Sequence, residues 1–465
     1  MLKLYNSLTK KLEDVKVNKN DVRIYLCGPT VQSSPHLGHG RSAVVFDFFV
    51  RYLKYLNYSV LFVRNVTDID DKIIIKSQEK KISYRELGNS VWNEFVSAHE
   101  NLNCLVPDIE PRATAYIPEI IKYIQQLIDN GFGYVTTSGV YYDVSKFENY
   151  LNLSGRSIEE VITGTRVETE DDKHRAEDFA LWKFSKLDEP SWKSPWGEGR
   201  PGWHIECSTM ISETLGQTID FHCGGIDLIF PHHENEIAQS KGVDTNEKFV
   251  NHWLHNGMLN LSGKKMSKSD GNIKLLNEYI DEYGGEAVRF FFLRAHYRSP
   301  QEFNEQLLEE SRKTLNNLAE FTNDVNAKLS DDKIIDIFNS CMNDDMNTPK
   351  LLGEIFQVIK NTTSLNEEQT IKIKQTVKYV FEVLGFQLKS SKKDIIEDKL
   401  LSEFFEKYDI EFSDIESAMT EFIKVREDLR SEKKYAEADI MREDLLQIGL
   451  VINDGENVGW YWKNS

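Results

Sequence analysis

The sequence has no long apolar run. Nothing in its 465 residues approaches the roughly 20 consecutive apolar residues that span a bilayer, so no membrane-spanning helix is expected. The first residues, Met1-Leu2-Lys3-Leu4-Tyr5-Asn6-Ser7, lack the apolar core of a signal peptide. Cysteine is scarce and odd in number, five in all, which argues against a disulfide framework and for a reducing compartment, the cytoplasm. Internal repeats and low-complexity segments are missing, so neither a solenoid nor a linker-like chain is expected. Positive charge is short: 56 Lys and Arg stand against 75 Asp and Glu, a net charge of −19. An RNA partner therefore requires a basic face set into an acidic protein, with salt-dependent binding.

What remains is ample for a folded core: 40% hydrophobic and 11% aromatic residues, in a chain with room for about three domains of about 150 residues each. Arg23 to Leu26 reads as a short buried strand closed by Cys27-Gly28-Pro29-Thr30. A helix is expected from Gly38, with Val44, Val45, Phe48, Phe49, Tyr52, Leu53 and Leu56 at helical spacing. A second strand, Ser59 to Asn65, ends in Thr67-Asp68-Ile69-Asp70-Asp71-Lys72. Strand, loop, helix, strand predicts a Rossmann-like parallel α/β sheet, whose ligands bind at the carboxyl ends of strands. Cys27, His36, His39 and Thr67 all fall at or just past such ends. The expected plan has five parts: a first half of the core (1–110), a connective insertion of short strands and turns (111–201), and a second half of the core (202–303), which resumes near Trp203 with a strand from Thr218 to Cys223. A helical bundle (304–397) and a small C-terminal α+β domain (398–465) follow, the latter with a charged helical region and a hairpin-like end, Leu450 to Trp462.

Two short runs carry phosphate chemistry. His36-Leu37-Gly38-His39 sets two imidazoles around a glycine where a strand hands over to a helix. Lys265-Met266-Ser267-Lys268-Ser269 packs two lysines and two hydroxyls between Gly263 and Gly271. Helix-start amides with imidazoles on one side and ammonium groups on the other suit a triphosphate. Alone, the lysine run has an ordinary solvated turn as its plainer alternative. A metal set is also conceivable: Cys27, Cys207, and His232 with Glu236 at i, i+4 on one helical face. Two thiolates, an imidazole and a carboxylate are accepted ligands of tetrahedral zinc. The spacing matches no standard finger, His233 is a rival ligand, and two buried free cysteines beside a surface His/Glu pair are the plainer alternative.

Together and in this order, the two runs resemble the HIGH and KMSKS signatures of class I aminoacyl-tRNA synthetases, with Leu37 in place of Ile. Four further runs resemble the cysteinyl-tRNA synthetase family: Leu26 to Val31, Thr67 to Ile73, Gly199 to Ser208 and Phe230 to Ala238. The resemblance implies zinc, one ion per chain, on Cys27, Cys207, His232 and Glu236, with His233 in a supporting role. It implies His36, Gly38 and His39 at the ATP phosphates, and Lys265 and Lys268 on the departing pyrophosphate, with Mg2+. It further implies Gly225 near the nucleotide, Asp227 on ribose hydroxyls, and His222 over the substrate or adenine. Cys223 stands where many relatives have glycine and is expected to crowd that loop. Trp203 is implied as the floor of an amino-acid pocket, and Thr67 as a holder of the substrate's amino or carboxylate group. Arg430, Tyr435, Asp439 and Asp454 are implied near the anticodon of tRNA-Cys, Tyr435 replacing a tryptophan found in some relatives. A monomer is implied. Cys104 and Cys341 read as core thiols, and Asp344 to Pro349 as the opening of a helix.

The leading expectation is a cysteine-tRNA ligase: ATP activates cysteine as cysteinyl-adenylate, and the acyl group passes to the terminal adenosine of tRNA. A related ligase that joins activated cysteine to an amino sugar needs no anticodon domain, so the tail from Arg430 to Trp462 argues against it. A non-catalytic RNA-binding relative would show degenerate motifs, whereas both ATP signatures and all four metal positions are intact.

Overall fold

The protein is described here by a computed structural model covering residues 1–164, 172–244, 248–261, 264–265, 274–388, 401–402, 404–410, 415–448, 450–453 and 459–462. Its contacts divide it into two compact units, 1–388 and 389–465, a division that falls earlier than the one expected after 397.

The first unit opens with a hairpin, β1 (Lys3–Asn6) and β2 (Lys11–Asp14), followed by β3 (Val22–Leu26), α1 (Leu37–Tyr55) and β4 (Val60–Arg64). Next come α2 (Asp71–Lys80), α3 (Tyr84–Asn101) and α4 (Ile117–Asp129). The strands β5 (Gly133–Val135), β6 (Gly139–Tyr142), β7 (Phe179–Phe184) and β8 (Gly199–Pro201) follow, with α5 (Ile158–Gly164) between β6 and β7. Then come α6 (Trp203–Leu215), β9 (Ile219–Gly225), α7 (Glu234–Val243), β10 (Val250–Asn256), β11 (Leu259–Leu261) and β12 (Lys264–Lys265). The unit closes with α8 (Leu276–Tyr283), α9 (Gly285–Leu293), β13 (Gln301–Phe303) and the helices α10 (Glu305–Thr322), α11 (Asp332–Asn343), α12 (Thr348–Lys360) and α13 (Glu367–Val383).

The parallel sheet has the order β10-β9-β3-β4, every neighbouring pair parallel. Its strands are apolar because both faces are covered. Ile24, Leu26, Phe221, Cys223 and Leu254 belong to the core that includes α1; Tyr25, Val63 and Trp253 belong to the core that includes α6. The stretch from β5 to β8 forms a separate antiparallel sheet, β5-β6-β7-β8, packed with α4 around Ile120, Ile124, Leu127 and Trp182.

Helices α10 to α13 share the α1 core: Leu308, Phe338, Leu351, Val377 and Phe381 join Phe46, Phe49 and Leu53 in one apolar cluster. The Asp344–Pro349 run does open a helix, with Asn347 capping α12 through a bond accepted from Lys350 N.

The second unit contains α14 (Ile415–Ser431), α15 (Tyr435–Gln447) and the antiparallel pair β14 (Leu450–Asn453) and β15 (Gly459–Trp462). Phe405, Met419, Phe422, Met441, Leu445 and Leu450 form its own core.

Candidate active site and metal centre

In a sheet of order β10-β9-β3-β4, the chain leaves β3 toward β4 and later leaves β9 toward β10. The switch point therefore lies at the carboxyl ends of β3 and β9, where open α/β sheets bind ligands. A cavity of about 340 Å³ opens there. It is lined by Cys27 to Thr30 after β3, by His36, Gly38 and His39, by Trp203 of α6, by Gly225 at the end of β9 with Asp227 beyond it, and by Asn256 at the end of β10 with Gly257 to Leu259 beyond it. Gly28 makes the floor possible: a Cβ there would lie 1.6 Å from the Asn65 carbonyl oxygen, and its N–H donates to Asn65 Oδ1 at 2.8 Å.

The two histidines of the first run cap α1. His36 Nδ1 accepts from His39 N at 3.3 Å, and His39 Nδ1 accepts from His36 N at 3.2 Å, a reciprocal capping box built from imidazoles. Their rings stack with centroids 3.7 Å apart. Because each Nδ1 accepts, the proton of each neutral ring sits on Nε2, giving two N–H donors at the positive end of a 19-residue helix. Gly38 allows the stack, since a Cβ there would press on the His36 ring at 3.0 Å.

Beside the cavity, Cys27, Cys207, His232 and Glu236 bring one ligand atom each to within 4.8 Å of one another. The two Sγ atoms are 3.9 Å apart, Cys27 Sγ is 3.8 Å from Glu236 Oε1, and His232 Nε2 is 3.1 Å from the same oxygen. A tetrahedral zinc, with Zn–S near 2.3 Å and Zn–N or Zn–O near 2.0 Å, holds its ligands about 3.3–3.8 Å from each other. The set thus fits zinc in both atom types and spacing. Its electrostatics fit as well. Burial pushes the Cys27 thiol and the Glu236 carboxyl up and the His232 imidazole down, so each favours its neutral form until a cation offsets the lost hydration. Three of the four side chains are buried; Cys27 alone is partly exposed, and it also lines the cavity.

A layer of histidines surrounds this set. His232 Nδ1 meets His204 Nδ1 at 2.9 Å, and His222 Nε2 meets Glu236 Oε2 at 2.8 Å. His233 Nε2 lies 3.3 Å from Cys27 Sγ, and its Nδ1 lies 2.8 Å from His255 Nε2. Partners of this kind fix the orientation of metal ligands. Cys27, His222, His233 and Glu236 likewise bring one ligand atom each to within 4.8 Å of one another, so closely does this layer wrap the first.

The expected site residues lie at different depths around the cavity. His222, expected over the substrate or adenine, is fully buried and does not line the cavity; it bonds to Glu236 and stacks on Trp253 with ring centroids 4.5 Å apart. The pleat of β9 turns Cys223 the other way, into the α1 core, so it does not crowd the nucleotide loop. Thr67 is buried, accepting from Asn65 Nδ2 at 3.3 Å, and is not among the lining residues. Trp203 does line the cavity and stacks on the His232 ring at 4.4 Å. Gly225 and Asp227 line it too, with Asp227 folded back so that a Cβ on Gly225 would meet Oδ1 at 2.6 Å. The backbone of Lys265 lies in β12, opposite Asn260 of β11; Lys268 falls outside the described residues.

In the second unit, Arg430 sits in the last turn of α14, Tyr435 begins α15 and is 58% exposed, and Asp439 follows one turn later on the same face. Asp454 falls outside the described residues. Sequence reasoning missed Arg64, Lys72, Phe95 and His99, which line one side of the cavity, and His204 and His255 behind the metal set. Lys72 and His204 lie within runs that carry the family resemblance but had no role of their own there, and Arg64, Phe95, His99 and His255 belong to no such run.

A family model described as "tRNA synthetases class I (C) catalytic domain" matches residues 13–313, and one described as "DALR domain" matches residues 337–389, from within α11 to just past α13. The cysteine–tRNA ligase of Legionella pneumophila (strain Corby) is 43% identical over 469 residues, covering 100% of this chain and 99% of the relative. That of Methanococcus maripaludis (strain C7) is 41% identical, covering 100% and 99%. Among solved structures, Mycobacterium tuberculosis methionyl-tRNA synthetase in complex with methionyl-adenylate aligns with a TM-score of 0.58 at 15% identity, over 78% of this chain and 89% of that one, a likeness of fold.

Proposed function

This chain belongs to the cysteine–tRNA ligase family of class I aminoacyl-tRNA synthetases, and we propose that it activates cysteine with ATP and transfers it to the 3′-terminal adenosine of tRNA-Cys. The observation that carries the thiol specificity is the position of Cys27, a member of the metal set and of the cavity wall at once. A closed structural zinc site is shut off by its four ligands, whereas this one opens onto the substrate cavity. Cys27, Cys207, His232 and Glu236 hold the ion. Bound there, zinc supplies affinity for the substrate's thiolate that serine's hydroxyl does not match, a discrimination that an apolar pocket cannot make between near-isosteres.

The remaining roles fall to the chain's own groups. Trp203 floors the amino-acid pocket, and Thr67 supports the substrate's amino or carboxylate group from beneath. The Nε2–H donors of His36 and His39, with the α1 amides over Gly38, bind α-phosphoryl oxygens as charge builds during attack by the cysteine carboxylate. Lys265 and Lys268 offset the charge of the departing pyrophosphate, which leaves with Mg2+. Gly225 brings the chain close to the nucleotide, and Asp227 accepts from the ribose hydroxyls. Arg430 and Tyr435 stack on unpaired anticodon bases, and Asp439 and Asp454 accept from base edges.

All five cysteines are free, in keeping with a reducing cytoplasm, and among the described residues no helix is long and apolar enough to cross a membrane. A monomer satisfies this scheme, since every proposed contact lies within one chain. The test is charging of a tRNA-Cys transcript by purified, zinc-loaded protein, with cysteine and serine side by side. Charging with cysteine alone is expected; charging with neither amino acid overturns the reading.

A further inference from the structure

The N-terminal hairpin reaches the back of the metal set. Ser7 N–H donates to Trp253 O at 3.0 Å, Asn6 Oδ1 accepts from Trp253 N at 3.2 Å, and Asn6 Nδ2 donates to Asn251 O at 3.1 Å. These three bonds seat the hairpin on β10 and set Ser7 Oγ 2.7 Å from His255 Nδ1. The contacts then continue without a break: His255 Nε2 to His233 Nδ1 at 2.8 Å, and His233 Nε2 to Cys27 Sγ at 3.3 Å. Both rings are buried, at 4% and 0% exposure.

We propose that Ser7, His255 and His233 are positioning residues that form a one-directional hydrogen-bond relay ending on the Cys27 sulfur, with the Ser7 hydroxyl as its source. The proposal rests on the reading that the Cys27 set holds zinc. A metal-bound thiolate carries no proton and can only accept. His233 must then present N–H at Nε2, which leaves its Nδ1 as an acceptor, because a neutral imidazole has one donor and one acceptor. His255 must present N–H at Nε2 to fill that acceptor, which leaves its own Nδ1 in need of a donor. Ser7 Oγ is the group at that position, and a hydroxyl supplies the donor. Each link fixes the tautomer of the next, so one hydroxyl on a hairpin outside the parallel sheet selects the donor that faces the ligand sulfur. That donor withdraws charge from the sulfur and holds it in place, as partners of metal ligands do.

The test compares full-length wild type, Ser7→Ala, Ser7→Thr, His255→Ala and His255→Gln. Each is loaded with cobalt(II) to read the thiolate-to-metal charge-transfer absorption, and each is titrated with zinc against a chelator. Removing an outer partner of a metal ligand weakens metal binding by about 10–100-fold, and Ser7→Ala, at the far end of the relay, is expected at the low end of that range. Its charge-transfer band shifts, and the KM for cysteine rises while the KM for ATP stays constant. Ser7→Thr restores all three. His255→Gln, whose amide N–H replaces the donor to His233, retains the band that His255→Ala loses; this pair decides the matter if Ser7→Ala fails to fold. A Ser7→Ala spectrum and zinc affinity equal to wild type overturn the relay while leaving the zinc reading intact. A wild-type protein with no thiolate-to-cobalt band overturns both.

Discussion

At the scale of the residue, the chemistry depends on groups whose neighbours decide their state. His36 and His39 spend their Nδ1 atoms on each other's backbone amides and so carry the proton of each neutral ring at Nε2. Cys27, His232 and Glu236 are pushed by burial toward neutral forms, a cost that a cation among them would offset. Substituting one sulfur tests this. Cys207→Ser replaces a thiolate with a poor zinc ligand. It should lower kcat/KM for cysteine in pyrophosphate exchange by roughly two orders of magnitude, about 2.7 kcal/mol, with the KM for ATP little changed. An equal loss on both substrates would point to a folding defect instead. The residues of this centre were legible only as a set. Cys27 and Cys207 are 180 positions apart, and no spacing rule connects them; the motifs around each carried the assignment. Ser7 and His255 had no such motif, because a single side chain meeting another across a hairpin leaves no periodic trace.

At the scale of the element, α1 joins the site to the rest of the first unit. Its amino end forms the cavity wall, and its middle carries Asp47. Asp47 pairs with Arg289 of α9 and with Arg51, and accepts from Leu105 N at 2.7 Å. Arg289 is fully buried and also donates to Leu102 O and Leu384 O, so four segments meet at one ion pair. Breaking such a pair leaves an uncompensated buried charge, which costs about 3–5 kcal/mol. Asp47→Ala should lower the urea midpoint accordingly, and Asp47→Ala/Arg289→Met should recover part of the loss; a double variant no more stable than the single would remove the pair from this account. Three strands of the parallel sheet were readable from apolar runs and begin and end within two residues of β3, β4 and β9, while β10, its fourth strand, and the β1–β2 hairpin were not foreseen. Side-chain direction within a strand was less legible. His222 and Cys223 are neighbours, and the pleat sends one to the metal set and the other to the α1 core.

At the scale of the whole molecule, the two compact units divide the proposed reaction. The cavity and the metal set lie within 1–388, and the residues assigned to the anticodon lie within 389–465, which has its own core. A chain ending at residue 388 should retain cysteine-dependent pyrophosphate exchange within a few-fold and lose most tRNA charging; loss of both activities would show that activation requires the second unit. The helical bundle was readable as helices, but not as part of the first unit, because its apolar stripes do not reveal that α1 is their partner. Net charge was the poorest guide, since −19 spread over 465 residues says nothing of where an RNA-facing surface lies. The central claim is that a metal facing the cavity selects the substrate's sulfur. Its most direct test is ATP–pyrophosphate exchange with cysteine and with serine, before and after zinc is removed by a chelator and then restored. The account predicts exchange with cysteine only, lost on removal and regained with zinc. Undiminished cysteine exchange in zinc-free protein would contradict it.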